Sequence, residues 1–261
     1  MSDDARETDA DLRAVYDAVA AAPEDEHGPG TTLAPAHDAL AGPTAAAQAA
    51  SRLERYLPLA TSVADVATGG GRLLERVDSF PTVVGVEDRP GALDLARERG
   101  QVCRGRATEL PVTGVDAVSA FEHATARLDA GGFRRFLREA HGSLAPGGTL
   151  LFDALLDPSG VPRGTEAVTD GTVRVERERS VDGDAEEEVV LRERYDLTDL
   201  ALEESVTVER TERLRTVDPG RLWAAVDEAG FADVMLTTRA VDDGAALVVA
   251  DREGQLAPEA L

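Results

Sequence analysis

Lysine, isoleucine and asparagine are absent from this chain. All 27 basic residues are therefore arginines, set against 50 acidic ones, for a formal net charge of −23. The codons of the three missing residues are AT-rich, so a GC-rich genome accounts for the pattern. The acidity and the missing lysine also point to a halophilic cytoplasm such as that of haloarchaea, where a carboxylate-rich surface keeps protein hydrated. One cysteine, Cys103, excludes an intrachain disulfide and reads as a small core residue rather than a nucleophile. No apolar run approaches the roughly 20 residues of a membrane span. The stretch from Met1 to Asp11 is acidic and polar, unlike a signal peptide. A soluble cytoplasmic protein is the expectation. Aromatics are few, at 4%, and no basic stripe interleaves with them. The acidity argues against a nucleic-acid partner, less strongly where a whole proteome is acidic, and the missing stripe agrees with it. His27, His37 and His141 show no ligand spacing, and no HxxxH, CxxC or clustered aspartate pattern supports a metal.

What is present is sharper. The 261 residues, 43% of them hydrophobic, suffice for one large α/β domain with an appendage. In Val63-Ala64-Asp65-Val66-Ala67-Thr68-Gly69-Gly70-Gly71-Arg72 an apolar run meets an acid, small residues and three glycines. A helical pattern follows from Arg72 to Val77. This reads as strand, tight turn and helix start, with glycines that let the backbone approach a ligand and helix N–H groups facing it. A second strand-like run, Thr82 to Val86, ends at Glu87, which follows Asp65 by 22 residues. That is close to the spacing at which a nucleotide-binding βαβ unit places an acid on ribose hydroxyls. The dinucleotide fingerprint G-x-G-x-x-G fails, because its third glycine would fall on Leu74 or Arg72. A phosphate loop ending in G-K-[ST] fails for want of lysine. A glycine-rich turn without a ligand is the plain alternative.

Asp65, Ala67, Gly69 and Gly71 fit D-x-[GA]-x-G-x-G, which resembles motif I of the class I S-adenosylmethionine (SAM) methyltransferases. Val83 to Pro90 resembles that family's second strand, with Glu87 as its ribose-binding acid and Asp88 beside it. Gly105-Arg106-Ala107-Thr108-Glu109-Leu110-Pro111 resembles the segment after the third strand, but Arg106 stands where the acid that accepts from the adenine amine is usual. Glu109 or a backbone carbonyl is the candidate replacement. Val115 to Phe121 resembles the fourth strand. Leu144 to Asp153 resembles the helix end, P-G-G turn and fifth strand. The resemblance covers most of 60–157 and resumes in 211–251. It implies SAM as cofactor, with Tyr16, Asp65, Ala67, Thr68, Gly69, Gly71, Arg72, Glu87, Asp88, Arg106, Ala107, Thr108 and Phe121 around it. It implies a small-molecule acceptor. No Pro-Pro dipeptide occurs, so the [DNS]-P-P-[YF] motif of amino-methylating nucleic-acid enzymes is missing.

The fold expected is α/β and doubly wound: a seven-stranded, mostly parallel sheet with an antiparallel last strand, a small antiparallel β insert and a helical N-terminal leader. The divisions are 1–57 for the leader, 58–157 for the SAM-binding core, 158–215 for the insert, 216–253 for the return to the core and 254–261 for a tail. In the leader, Leu12 to Ala22 is helical, broken by Pro23 and Gly28-Pro29-Gly30, and Pro43 to Tyr56 is an alanine-rich helix. The resemblance makes this leader a lid. Core strands are Val63–Ala67, Thr82–Val86, Gln101–Arg104, Val115–Ala120 and Thr149–Ala154. Pro90 to Arg99 and Gly132 to Leu144 are helices, the first punctuated by Pro90 and Gly100. The insert reads as three strands, Thr172–Val181, Val189–Leu197 and Ser205–Leu214, with a turn at Asp182-Gly183-Asp184 and a solvated end at Glu186-Glu187-Glu188. It either covers the pocket or forms a dimer contact. Asp218 caps a last helix that Pro219 begins and Gly230 stops. Val234–Arg239 and Ala245–Asp251 are the final strands.

Methyl transfer from SAM is an in-line displacement, so the enzyme's task is to hold the nucleophile aligned and dry. A base is needed only if the acceptor arrives protonated. His123, just after the fourth strand, is the candidate, against the reading of an ordinary rim histidine. Glu122 is similarly ambiguous. Several other residues carry two readings each. Tyr16 either contacts the SAM carboxylate or anchors the leader, and Phe121 either flanks the cofactor or fills core. Asp153 and Asp157 either line the acceptor pocket or cap turns. Arg72 either faces the SAM carboxylate or is a solvated helix-start residue. Tyr195 and Trp223 read as packing residues. A non-catalytic SAM- or nucleoside-binding regulator is the competing function.

Overall fold

The computed structural model describes residues 6–21, 32–182, 188–238 and 244–254. The expected break at Pro23 and Gly28-Pro29-Gly30, His27, Gly183, Asp184, Glu186, Glu187, Arg239 and the tail beyond Gly254 lie outside these residues. In chain order the leader holds β1 (Arg6–Glu7), α1 (Leu12–Ala21) and α2 (Ala34–Tyr56). The core follows with β2 (Ser62–Val66), β3 (Thr82–Glu87), α3 (Pro90–Arg99), β4 (Gln101–Arg104), β5 (Val115–Ala120), α4 (Ala130–Ser143) and β6 (Leu144–Leu155). The insert is β7 (Gly164–Thr169), β8 (Val173–Asp182), β9 (Glu188–Asp199) and β10 (Glu204–Arg215). The chain returns to the core with α5 (Pro219–Glu228), β11 (Asp233–Thr237) and β12 (Ala245–Asp251). No described helix is long and apolar enough to cross a membrane.

The central sheet has the order β11-β12-β6-β5-β2-β3-β4. β12 runs antiparallel to both of its neighbours, and the other core pairings are parallel. The order reverses beside β2, so the ends of β2, β3 and β5 open a crevice where ligands of such sheets bind. Both faces are covered. Phe133, Phe136, Leu137 and Ala140 of α4 recur at three- and four-residue spacing and are buried with Leu222 and Val226 of α5. Phe152 of β6 meets Phe133 and Phe136 edge-on, at 6.0 and 6.1 Å between centroids. On the other face Ala49, Ala50 and Leu53 of α2 pack with Val63, Leu151, Leu247 and Val249. Truncating a phenylalanine such as Phe136 to alanine removes roughly 3–5 kcal/mol.

The structure corrects the expected insert. It has four strands, not three, and with β1 of the leader they form a five-stranded sheet, β1-β7-β8-β9-β10, in which β1 pairs parallel to β7. β7 was missed because only Ala167 and Val168 break its polar sequence, and β1 because two residues carry no periodicity. Both are specified by their partners rather than by their own pattern.

The leader is split. Leu12, Val15, Val19, Leu33, Ala36 and Leu40 are buried on the insert, against Val173, Val175 and Leu197 among others. The later half of α2 packs on the core instead. Between the halves Gly42 takes φ 64 and ψ −179, a conformation open to glycine, and Pro43 follows. The alanine-rich helix therefore starts at Ala34, not Pro43, and is kinked.

The helix expected from Arg72 to Val77 is a correction as well: one 3-10 turn, Leu74–Arg76, stands there. Successive short-range bonds, Leu74 N–H to the Gly71 carbonyl and Arg76 N–H to that of Leu73, close it before Pro81. No long helix follows the glycine turn before β3.

Candidate functional site

β2 leaves the sheet through Ala67 at φ 56, an alanine in the left-handed region, followed by Gly69 at φ 60 and Gly71 at φ 80. The Thr68 N–H donates to the Val86 carbonyl at 3.2 Å, and the Gly71 N–H to the Thr68 carbonyl at 3.0 Å. The three glycines do different things. A Cβ at Gly71 would stand 2.8 Å from Ala96 Cα of α3, so that glycine serves packing. A Cβ at Gly70 would collide with the Asp38 carboxylate. A Cβ at Gly69 would meet nothing within 4 Å. Gly69 thus borders open space.

Glu87, at the end of β3, is buried and reaches back to this turn. Its Oε2 accepts from the Gly69 N–H at 2.9 Å and from Arg89 Nη2 at 3.0 Å. Its Oε1 accepts from the Asp88 and Arg89 N–H groups and from Arg89 Nε, each at 3.0 Å. Burial works to raise this carboxyl, but the Arg89 guanidinium and the amides outweigh it and hold the group below its ordinary value. Asp65 is buried beneath the turn, accepting from Ser119 Oγ at 2.8 Å. Burial pushes its carboxyl up to about 6, against the pull of its hydrogen bonds. It ties β2 to β5.

Beyond β3 and β4, Arg106 Nε meets Asp88 Oδ2 at 3.2 Å. The arginine in the adenine-acid position is therefore paired with the residue beside Glu87. Its carbonyl accepts from the Glu109 N–H at 3.0 Å, which closes the turn holding Ala107 and Thr108. Beyond β5 the backbone is strained: Glu122 and His123 take φ 56 and 61 in succession. Two contacts hold this turn. Asp153, at the end of β6, accepts from the His123 N–H at 3.1 Å, and Arg127 Nη1 donates to the Glu122 carbonyl at 2.6 Å. Arg127 in turn reaches Glu212 of β10 at 3.0 Å. Asp153 and Asp157 thus act as turn caps, the latter accepting from the Ser159 N–H at 2.8 Å.

The structure places four other residues: Phe121 and Tyr16 take the packing reading that the sequence left open, while Arg72 and Trp223 differ from expectation. Arg72 neither faces open solvent nor begins a helix; its Nε binds Asp38 Oδ1 at 2.9 Å and its Nη1 the Gly42 carbonyl. Phe121 is buried in the core cluster that includes Leu53 and Leu73. Tyr16 lies in the leader–insert cluster, with the Arg13 guanidinium 5.4 Å from its ring centroid. Trp223 is 45% exposed on α5 rather than packed inside.

Two further clusters join the leader to the glycine turn and to the insert. Asp38 also takes Arg99 Nη2 at 2.8 Å, while Arg99 Nη1 donates to the Gly70 carbonyl at 2.8 Å. His37 Nδ1 lies 2.8 Å from Tyr195 Oη and accepts from Arg177 Nη1 at 3.2 Å. Because a guanidinium only donates, Nδ1 is unprotonated and a neutral ring carries its hydrogen on Nε2. Burial first, then the charges of Arg177, Arg127, Arg210 and Arg89, hold His37 well below the usual histidine range. No spacing signals such contacts, because each joins segments far apart in the chain. A surface cavity of about 1140 Å³, between the starts of α4 and α5, is lined by none of the expected cofactor residues.

Residues 64–152 match the family model described as a methyltransferase domain. Fold, crevice and this match define the class: a SAM-dependent methyltransferase, an enzyme with SAM as methyl donor. Among solved structures the chain is similar to SAM-bound CalS10, an amino pentose methyltransferase from Micromonospora echinaspora involved in calicheamicin biosynthesis. The identity is 27%, over 79% of this chain and 89% of that one, with TM-score 0.65. It shares its fold with the sugar N-methyltransferase KedS8 from Streptoalloteichus, at 22% identity, 81% and 88% coverage and TM-score 0.70. It also shares it with the CcbJ methyltransferase from Streptomyces caelestis, at 19% identity, 92% and 96% coverage and TM-score 0.60. No curated protein matches the chain.

Proposed function

We propose that this enzyme methylates an amine of a small polyhydroxylated molecule of the amino-sugar type, at the crevice formed by the ends of β2, β3 and β5. One observation carries the placement of the cofactor: the Gly69 N–H bound to Glu87 at 2.9 Å, which brings the glycine turn and the second-strand acid to one edge of the sheet. The open space at Gly69 suits the methionine portion and ribose edge of SAM, Glu87 the ribose hydroxyls, and the Arg106–Thr108 turn with Asp88 the adenine edge. The acceptor class rests on the likeness to CalS10 and KedS8.

SAM supplies a methyl on a sulfonium that departs as a neutral thioether. The chain's own residues do the rest. The insert and the turn after β5 hold the acceptor and exclude water. His123 takes the proton that an ammonium acceptor must lose before its lone pair forms the new N–C bond. The strained turn, fixed by Asp153 and Arg127, sets where that imidazole stands. The competing regulator reading has no observation of its own in this structure.

Titration calorimetry with SAM, S-adenosylhomocysteine, NAD and NADP in multimolar KCl tests the cofactor. Binding of the first two alone is expected, and no affinity for SAM overturns the reading. Radiolabelled methyl transfer to a panel of amino sugars and their hydroxyl analogues tests the acceptor. Turnover confined to the hydroxyl compounds would replace N- by O-methylation.

A further inference from the structure

Glu122 and His123 take positive φ in succession, and neither is glycine. Such strain persists only where the surroundings over-determine it. One peptide unit joins the two residues. Its carbonyl, that of Glu122, accepts from Arg127 Nη1 at 2.6 Å. Its N–H, that of His123, donates to Asp153 Oδ1 at 3.1 Å. The unit is thus gripped at both ends. Rotating it by half a turn would carry His123 to negative φ, relieving the strain, and would break both bonds.

The two grips have different origins. Asp153 ends β6 of the core. Arg127 belongs to the turn itself, and a guanidinium on a long flexible stem needs a second partner to be aimed. That partner is Glu212 of β10, whose Oε1 accepts from Arg127 Nε at 3.0 Å. Among the described residues it is the only carboxylate within ion-pair reach of Arg127. Burial works to raise the Glu212 carboxyl, but the charges of Arg127 and Arg210 outweigh it and hold the group below its ordinary value, so it stays ionised. β10 does not depend on this pair for its place. The strand pairs with β9 along its whole length. At its end the Arg215 N–H donates to the Ala126 carbonyl at 2.7 Å, and Arg215 Nε to the Leu128 carbonyl at 3.3 Å. Removing Glu212 therefore leaves the strand docked and frees only the guanidinium.

Resting on the reading of His123 as base, we propose that Glu212 is a positioning residue: through Arg127 it holds the Glu122–His123 peptide, and so the imidazole, in the orientation for proton removal. The insert thereby takes part in the chemistry rather than only covering the acceptor. Glu212 acts without touching cofactor or acceptor. The side chains of Arg127 and Glu212 are 35% and 20% exposed, so loss of the pair costs the fold little.

Hydrogen exchange of the residue 123 amide, read by NMR in the full chain, tests the grip without any acceptor. Glu212→Ala should speed exchange there about tenfold, with the β9 amides and the melting temperature unchanged. Glu212→Gln keeps an acceptor oxygen for Arg127 Nε and should stay within about threefold of wild type. Unchanged exchange at residue 123 in Glu212→Ala, or exchange raised equally throughout the insert, overturns the proposal. Methyl transfer from SAM to glucosamine and the other amino sugars of the panel tests the consequence. Glu212→Ala should lower kcat about tenfold with both KM values unchanged, and Glu212→Gln should restore most of it. Beside His123→Ala, which has already lost the base, Glu212→Ala should lower turnover no further, a non-additivity that a general structural role does not produce. A loss confined to KM, or full additivity with His123→Ala, overturns the proposal while the base reading stands. Full turnover in His123→Ala overturns the base reading and this proposal with it. No methylation of any amino sugar by wild type overturns the amine acceptor, and with it the proton removal that the grip serves.

Discussion

Arg99 of α3 donates through Nη2 to Asp38 of α2 at 2.8 Å, across 61 residues of sequence, and this pair clamps the leader onto the glycine turn. Asp38 also receives Arg72, and Arg99 also holds the Gly70 carbonyl. Removing one partner of so enclosed a pair leaves charge without compensation. Asp38→Ala is expected to cost about 2 kcal/mol in urea unfolding and to raise protease cleavage near the Gly42 kink. Unchanged unfolding would show that the clamp is not holding the leader.

Gly69 and Glu87 give the direct test of the crevice. Gly69→Val puts a branched side chain into the open space and into a positive-φ position, so SAM binding should be lost, with secondary structure retained by circular dichroism. Glu87→Ala removes the acceptor of the Gly69 N–H and should weaken SAM by about tenfold or more. Near-wild-type affinity in both variants would move the cofactor elsewhere.

Asp65 should leave a signature in the pH dependence of stability. Its folded value, about 6, lies above the ordinary 3.8. Its ionised form is thus disfavoured by the fold: the penalty is present above 6, shrinks as pH falls from 6 to 4, and is gone below. Asp199 works in the opposite sense. Its hydrogen bond from Arg13 comes first among the causes that lower it to about 2, so its contribution is present above 3.8 and is lost as pH falls from 3.8 towards 2. Asp65→Asn keeps an acceptor for Ser119 and should melt higher than wild type at pH 7, the difference closing by pH 4. A constant difference across that window would rule the assignment out.

His123 and Asp153 separate chemistry from positioning. His123→Ala should lower turnover about a hundredfold with SAM affinity unchanged. Asp153→Ala should lower turnover by relaxing the Glu122–His123 turn while the pH profile keeps the histidine limb. Full activity in His123→Ala would remove it as base.

Salt dependence follows from the charge. With a net charge of −23, the chain should unfold at lower temperature when KCl is reduced from multimolar to 0.1 M, as screening of its carboxylates is withdrawn. An unchanged melting temperature would dispose of the halophilic reading.

Much of the core was legible because its signals are local. β4, β5, β12 and α3 match the expected bounds residue for residue. Each carries its own punctuation: an apolar run bounded by turn residues, or Pro90 and Gly100 at the two ends of a helix. β1 and β7 were not legible, having no apolar alternation of their own. The helix after the glycines failed although its pattern was helical, because the short-range bonds of a single 3-10 turn, Leu74–Arg76, stand in its place.

The sequence by itself determined the turn after β2: small residues where φ turns positive, and an acid 22 residues on at the end of the next strand. Both are demands that neighbouring residues make on the backbone. Only the tertiary structure decided which charges meet. With 27 arginines as the only basic side chains and 50 carboxylates, local pattern cannot assign partners. Asp38 takes Arg72 and Arg99, and Arg127 takes Glu212 across 85 residues, because folding places them there. Glu87, which the sequence pattern assigns to a ribose, is also bound by Arg89 two residues away. Burial makes an unpaired carboxylate costly, and the nearest guanidinium that the fold brings within reach pairs with it.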